Sequence, residues 1–270
     1  MGWSARKPLP SPLRPLAYRA FARAVGANLD EVELELEAYP SLGDFFARRL
    51  RSGARTIDPA PDTVIAPCDG VIAARGYATG GTLIQAKGRD YRLEELLADD
   101  ALAGALSGGA YVTVYLSPRD YHRVHAPVAG TLVGYDYLPG ALWPVNPRVA
   151  ARRDALLARN ERVVIHLNSP RVGRVAVVMV GASGVGNISL VHGFDSATLR
   201  GRGERRRVEL QGIEVARGDE LGAFHLGSTT IVVFEPGAVE LLDGPAGDVG
   251  QPVRFGERLA QTQHRGRNGA

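Results

Sequence analysis

The segment YLSPRDYHRVHAP (115–127) carries two histidines, His122 and His125, with Arg119 and Asp120 just upstream. Imidazole takes and gives protons near neutral pH, so such a pair beside a proline-flanked strand end points to proton transfer or metal binding. On an extended strand, this spacing turns the two rings to opposite faces; in a turn they converge. APCDG (66–70) offers Asp69, a carboxylate at a turn, where aspartate also serves simply to bond nearby backbone. HLGSTTIVVFEPG (225–237) offers Ser228 after Gly227, at the start of a hydrophobic run that also reads as a plain glycine turn. Together Asp69, a histidine and Ser228 form the set that activates a serine hydroxyl. The serine lies outside any G-x-S-x-G elbow, which argues against an α/β-hydrolase. Two other readings stay open. Asp69, His122 and His125 offer three ligands to a zinc ion of a hydrolase, with water as the fourth, although no H-x-H or H-E-x-x-H spacing is present. A non-catalytic binding module would instead use the hairpins of 213–224.

Strand-like periodicity after Pro59 must position these residues. Strands are predicted at 63–66, 70–75, 82–86, 110–116, 130–137, 162–168, 172–180, 188–191, 207–210 and 229–234, with helices at 93–103 and 150–159. Many short strands with glycine turns predict a mainly β (α+β) fold, an antiparallel β-sandwich or barrel. APCDGVI (66–72) and APVAGTL (126–132) share Ala-Pro-x-x-Gly-x-aliphatic, and IEVARGDELGAF (213–224) carries a Gly-Asp turn, as expected of related halves. Ahead of this part, residues 1–58 read as a helical region. A proline-rich leader precedes a helix at 16–25, with Leu16, Ala17, Ala20, Phe21 and Ala24 on one side and Arg19 and Arg23 on another. An acidic amphipathic stretch follows at 29–36, then a helix at 42–50 with Ser41 as N-cap and Asp44 closing the cap. These helices suit either a small bundle on the main domain, 59–270, or an anchor at a membrane interface.

Composition narrows the classes. The 270 residues carry 32 Lys+Arg against 29 Asp+Glu, a net charge of +3, with 33 glycines and 17 prolines. No apolar run approaches the roughly 20 residues of a spanning helix, and residues 1–25 lack the apolar core of a secretory signal. The single cysteine, Cys68, suits a reducing compartment. Arg205 to Arg207 is the densest basic run and reads as a solvated loop, with no stacking aromatics to suggest nucleic acid. Lys7 and Lys87 are the only lysines, which leaves little room for a lysine Schiff base.

Read in order, the chain resembles the phosphatidylserine decarboxylase proenzyme family, pyruvoyl-dependent and self-cleaving. SLGDFFARRLRSGARTIDP, APCDGVI, YLSPRDYHRVHAPVAGTL, LWPVNP with ARNERVV, VGASGVGNISL and RGDELGAFHLGSTTIVVFEPG resemble its successive motifs from about residue 28 to 237. ASGVGNI replaces a bulkier pattern and His225 stands where histidine is unusual; neither touches the motif residues. The resemblance implies that Asp69 orients His125, which takes the Ser228 proton as its oxygen attacks the Gly227 carbonyl. Cleavage between Gly227 and Ser228 gives a β chain, 1–227, and an α chain, 228–270, that stay associated, with a pyruvoyl group from Ser228. The implied cofactor is that pyruvoyl group, with no metal; it forms a Schiff base with phosphatidylserine and releases CO2 to give phosphatidylethanolamine. His122 is implied to assist decarboxylation. Membrane surface is the implied partner, with peripheral location on the cytoplasmic side of the cell membrane and a possible homo-oligomer.

Overall fold

The computed structural model describes residues 7–86, 89–182, 187–199, 203–242 and 248–263. Lys87, part of the ASGVGNI segment (183–186) and the chain ends lie outside them.

Helix α1 (Arg14–Val25) and α2 (Leu42–Phe46) open the chain, followed by β1 (Thr63–Ile65), β2 (Gly70–Tyr77), β3 (Thr82–Ala86) and β4 (Arg89–Arg92). Helices α3 (Leu93–Leu97) and α4 (Asp100–Leu106) precede β5 (Ala110–Leu116), β6 (Arg123–His125) and β7 (Gly130–Leu138). After α5 (Pro147–Ala150) and α6 (Leu156–Arg159) come β8 (Arg162–Ser169), β9 (Gly173–Gly181), β10 (Ile188–Leu190), β11 (Phe194–Asp195) and β12 (Arg206–Val215). The last strands are β13 (Glu220–Phe224), β14 (Ser228–Phe234), β15 (Val239–Leu241), β16 (Pro252–Val253) and β17 (Arg258–Thr262).

Eight strands form one antiparallel sheet in the order β12-β7-β8-β9-β14-β5-β2-β16. Two smaller sheets, β11-β10-β13-β6 and β1-β17-β15, share a core with one of its faces, including Val112, Val163, Val232, Phe234, Val124, Phe224 and Ala260. The other face packs Val178, Ile231 and Val233 against leucines of α3, α4 and α6. The mainly β sandwich expected from the sequence is therefore present, with helices as an added layer.

The repeated Ala-Pro motifs cross each other reciprocally. Ile65 N–H donates to Pro127 O at 3.0 Å, and His125 N–H donates to Pro67 O at 2.8 Å. The two hairpins behind them match as well: Gly218 N–H bonds Ala126 O and Gly256 N–H bonds Ala66 O, while Ala126 and Ala66 donate to Asp219 O and Glu257 O. The motif glycines start β2 and β7, and in each a Cβ would collide with a neighbouring strand's carbonyl, Tyr115 O at Gly70 and Asn168 O at Gly130. Glycine is required there by close approach.

Several expected elements differ. The 93–103 helix breaks at Ala98 (φ 50°), and Asp99 caps α4 through Leu102 N–H. Residues 29–35 form no helix and only a 3-10 turn follows at Leu36–Ala38; Val32 bridges to Leu50, so Leu50 is not helical, and the helix expected at 42–50 ends at Phe46. Ser41 and Asp44 do make the expected reciprocal cap. Helix α1 buries Tyr18 and Ala22 and leaves Leu16 71% exposed, because Tyr18 stacks on Phe45 with ring centroids 4.7 Å apart. Arg206 and Arg207 lie on β12 rather than in a solvated loop; Arg205 and Arg207 clasp the buried Asp136 carboxylate.

Candidate active site

Alternation along β14 decides where Ser228 points. Val232 and Phe234 face the small sheets while Ile231 and Val233 face the helices, so Ser228 shares the small-sheet face that carries β6. Ser228 opens the strand, paired to Leu116 on one side and Gly181 on the other. It is fully buried, and its Oγ has no hydrogen-bond partner.

His122 reaches this region through the backbone. Phe224 N–H donates to His122 O at 2.8 Å, and the chain then turns through 225–227 into Ser228. The His122 ring packs on Phe46 with centroids 4.0 Å apart. Its Nδ1 lies 2.8 Å from Asp120 O, which can only accept, so Nδ1 carries the hydrogen and Nε2 holds the lone pair. That Nε2 is buried and unpartnered. Burial in this apolar setting pushes the imidazole down to about 3, so it is neutral at working pH.

His125 is held differently. Nδ1 donates to Gly218 O at 2.8 Å, and Nε2 accepts from the Tyr121 hydroxyl at 3.0 Å. Burial lowers its pKa too, and raises that of the Tyr121 phenol. Asp69 accepts from Arg55 through Nε and Nη2, at 2.9 and 2.5 Å, and from Phe255 N–H at 2.8 Å. Arg55 also bonds Glu31 at 3.0 Å.

No hydrogen bond joins Asp69 to His125, or either histidine to Ser228, among the described residues. Asp69 reaches His125 through Phe255, whose backbone it holds and whose ring covers the imidazole. For His125 to act as base, the Tyr121 hydroxyl must leave Nε2. Nor do Asp69, His122 and His125 gather as metal ligands: no group of three His, Cys, Asp or Glu suited to a metal occurs among the described residues. Among the described residues the zinc reading finds no ligand set. Cys68 is buried, with its thiol pushed up by burial. His225 lies to the side, with Nε2 at 3.0 Å from Ser189 Oγ.

Sequence reasoning missed Arg55, Tyr121, Phe255 and Phe46 as neighbours of the site. Tyr121 stood inside the histidine motif, so it was findable; Arg55 was one arginine among many. Arg123 adds a tie between layers, donating to Ala47 O and pairing with Glu220.

The sequence profile of the family described as phosphatidylserine decarboxylase matches residues 42–261. A phosphatidylserine decarboxylase proenzyme of Myxococcus xanthus is 41% identical over 261 residues, covering 96% of this chain and 91% of that protein. A proenzyme of the same name from Anaeromyxobacter sp. is 45% identical over 252 residues, 93% of this chain and 88% of its own. One from Brevibacillus brevis is 38% identical over 252 residues, 93% and 89%. With a profile match spanning the whole site and relatives aligned over nearly the full length, the chain belongs to the phosphatidylserine decarboxylase family.

Proposed function

We propose that this chain matures by cutting itself between Gly227 and Ser228 and then decarboxylates phosphatidylserine to phosphatidylethanolamine with a pyruvoyl group made from Ser228. The family membership supports the reaction. The observation that carries the self-cleavage is the Ser228 hydroxyl, buried without a partner at the mouth of β14. A hydroxyl kept dry and unbonded is an unusual expense in a core, and it suits a nucleophile.

In maturation, His125 accepts the Ser228 Oγ proton while that oxygen attacks the Gly227 carbonyl carbon, and the acyl group passes from nitrogen to oxygen. Elimination frees the Gly227 carboxylate and leaves dehydroalanine, which water converts to the ketone and ammonia. Asp69 holds Phe255 over His125 and is a positioning residue. The fit of a pyruvoyl group rests on the same observation: the ketone would arise at Cα of the residue whose Oγ is orphaned, with Cβ left as the methyl. Once formed, that group supplies an electron sink for loss of CO2.

In turnover, His122 Nε2 is the available base. Neutral and unpartnered, it can take a proton from the substrate ammonium, the anions of the substrate offsetting the burial that disfavours its cation, and return it to the α-carbon after CO2 has left. Asp120 O fixes the tautomer that allows this.

The proposed location is the membrane surface. Leu13 (52% exposed) and Leu16 (71%) project beside the exposed Arg19 and Arg23 on or next to α1, and such a face suits an interface with anionic lipid. No described helix is long and apolar enough to cross a membrane. The β and α chains are proposed to stay together, since β14 is hydrogen-bonded on both sides by strands of the β chain.

The test is an intact mass of the purified protein with a CO2 assay on phosphatidylserine micelles. Two fragments divided at Gly227, with a blocked smaller one, are expected, and Ser228→Ala is expected to remain one inactive chain. An uncut chain active on the lipid would overturn the reading.

A further inference from the structure

Arg48 is 2% exposed, and its Nε and Nη1 meet no acceptor. Nη2 alone is bonded, to Arg119 O at 3.2 Å and Asp120 O at 3.4 Å. A buried guanidinium with two idle donors is costly unless an anion is its intended partner. The carboxylates nearby are already engaged. Glu31 and Asp69 are held by Arg55, and Asp120 accepts from Ser117 N–H and Oγ.

Arg48 lines a cavity of about 270 Å³ with Arg55, Arg119 and Arg254, facing those three carboxylates. The balance is positive. The Asp120 carbonyl also accepts the Nδ1 hydrogen of His122, so Arg48 and the His122 ring are fixed on the same atom. An anion at Arg48 therefore sits beside the 119–122 segment that carries the proposed base.

We propose that Arg48 binds the phosphodiester of the substrate headgroup, fixing the lipid so that its serine end lies at His122. The inference rests on the decarboxylase reading. The substrate has two anions, and the chemistry chooses between them. The carboxylate charge disappears as CO2 leaves, so an arginine on it would stabilise the ground state more than the transition state and slow the step. The phosphodiester keeps its charge throughout, and holding it lowers KM without opposing the chemistry. The planar fork of arginine suits two phosphate oxygens at once.

The experiment measures calorimetric binding of glycerophosphoglycerol, a phosphodiester without an amine, to the self-cleaved wild type and to Arg48→Gln. Since the probe cannot react with a ketone, this readout is independent of turnover. Binding is expected to weaken roughly 10- to 100-fold in Arg48→Gln, with KM for phosphatidylserine rising by a similar factor and kcat unchanged. Arg48→Lys, which keeps the charge but loses the fork, should fall between and serves if the glutamine variant does not fold. In the wild type, glycerophosphoglycerol should raise Tm by more than it does in Arg48→Gln. Unchanged binding in either variant, no Tm shift in the wild type, or lower kcat at constant KM overturns the proposal. Inorganic phosphate binding more tightly than the diester would make this a free-anion site, and also overturns it. Wild type that fails to release CO2 at all sinks the decarboxylase reading instead.

Discussion

The His125 imidazole lies flat on the Phe255 ring, centroids 3.7 Å apart and planes 14° from parallel. The same Phe255 donates its backbone N–H to Asp69, so a carboxylate that never touches the histidine still fixes the surface against which it rests. Asp69 thus has two duties, one toward His125 and one toward Arg55.

Removing Asp69 tests both. In a Ser228→Ala background, where all protein stays uncut, Asp69→Ala should cost about 3–5 kcal/mol, because Arg55 remains buried with Glu31 as its only carboxylate. Urea unfolding reads this. With Ser228 intact, Asp69→Ala should self-cleave slowly instead of not at all, since a positioning residue contributes less than nucleophile or base. Cleavage at the wild-type rate on a denaturing gel would take Asp69 out of maturation.

The exposed leucines of the N-terminal helix predict a membrane phenotype without a folding one. Leu16→Ser removes an apolar side chain that is 71% exposed, so Tm should stay within about a degree or two of wild type. Co-sedimentation with vesicles containing phosphatidylserine should fall. Equal sedimentation of Leu16→Ser and wild type would move the membrane contact elsewhere.

Much of this architecture was legible because strand alternation and the two Ala-Pro motifs are written in local sequence. Ser228 at the head of an apolar run did open a strand, and Ser41 with Asp44 did cap a helix. What failed was set by contacts between distant segments. Nothing local shows that Val32 pairs with Leu50, a bridge that stands where one helix was expected and at the expected end of another. The apolar side of α1 was misread for the same reason: Tyr18 wins the buried face through Phe45, and Leu16 turns outward. At the site, residue types were readable, but their bonds were not. Asp69 meets Arg55 and Phe255, contributed by turns near 55 and 255, which no spacing rule brings together.

Acid stability offers a test of His122 independent of activity. Its folded pKa is about 3 against an ordinary 6.5, so between those values the unfolded chain binds a proton that the folded one does not. Stability contributed by the neutral histidine is therefore present above about pH 6.5 and lost as pH falls, by up to about 1.4 kcal/mol per pH unit. His125 is shifted in the same direction and adds to the slope. His122→Gln should flatten the fall in urea-unfolding free energy across this window. A variant with the wild-type slope would mean that His122 is not buried neutral.

The two histidines should separate by function. His125 has both nitrogens engaged, by Gly218 O and Tyr121, and is the proposed base for Ser228. His122 has one nitrogen fixed by Asp120 O and the other buried without a partner. His122→Ala should therefore still split at Gly227 and form the ketone, detectable by hydrazide labelling. Its CO2 release should fall roughly 10²- to 10⁴-fold, the usual worth of a positioned acid–base group. His125→Ala should instead accumulate the uncut chain. Removing the His122 ring also leaves a void beside Phe46, so His122→Gln, which fills more of it, guards against a local collapse that would mimic a shared role. Normal lipid turnover in folded His122→Ala would refute the assignment. Loss of self-cleavage in both folded His122 variants would show that the free Nε2 of His122 is the base that serves Ser228.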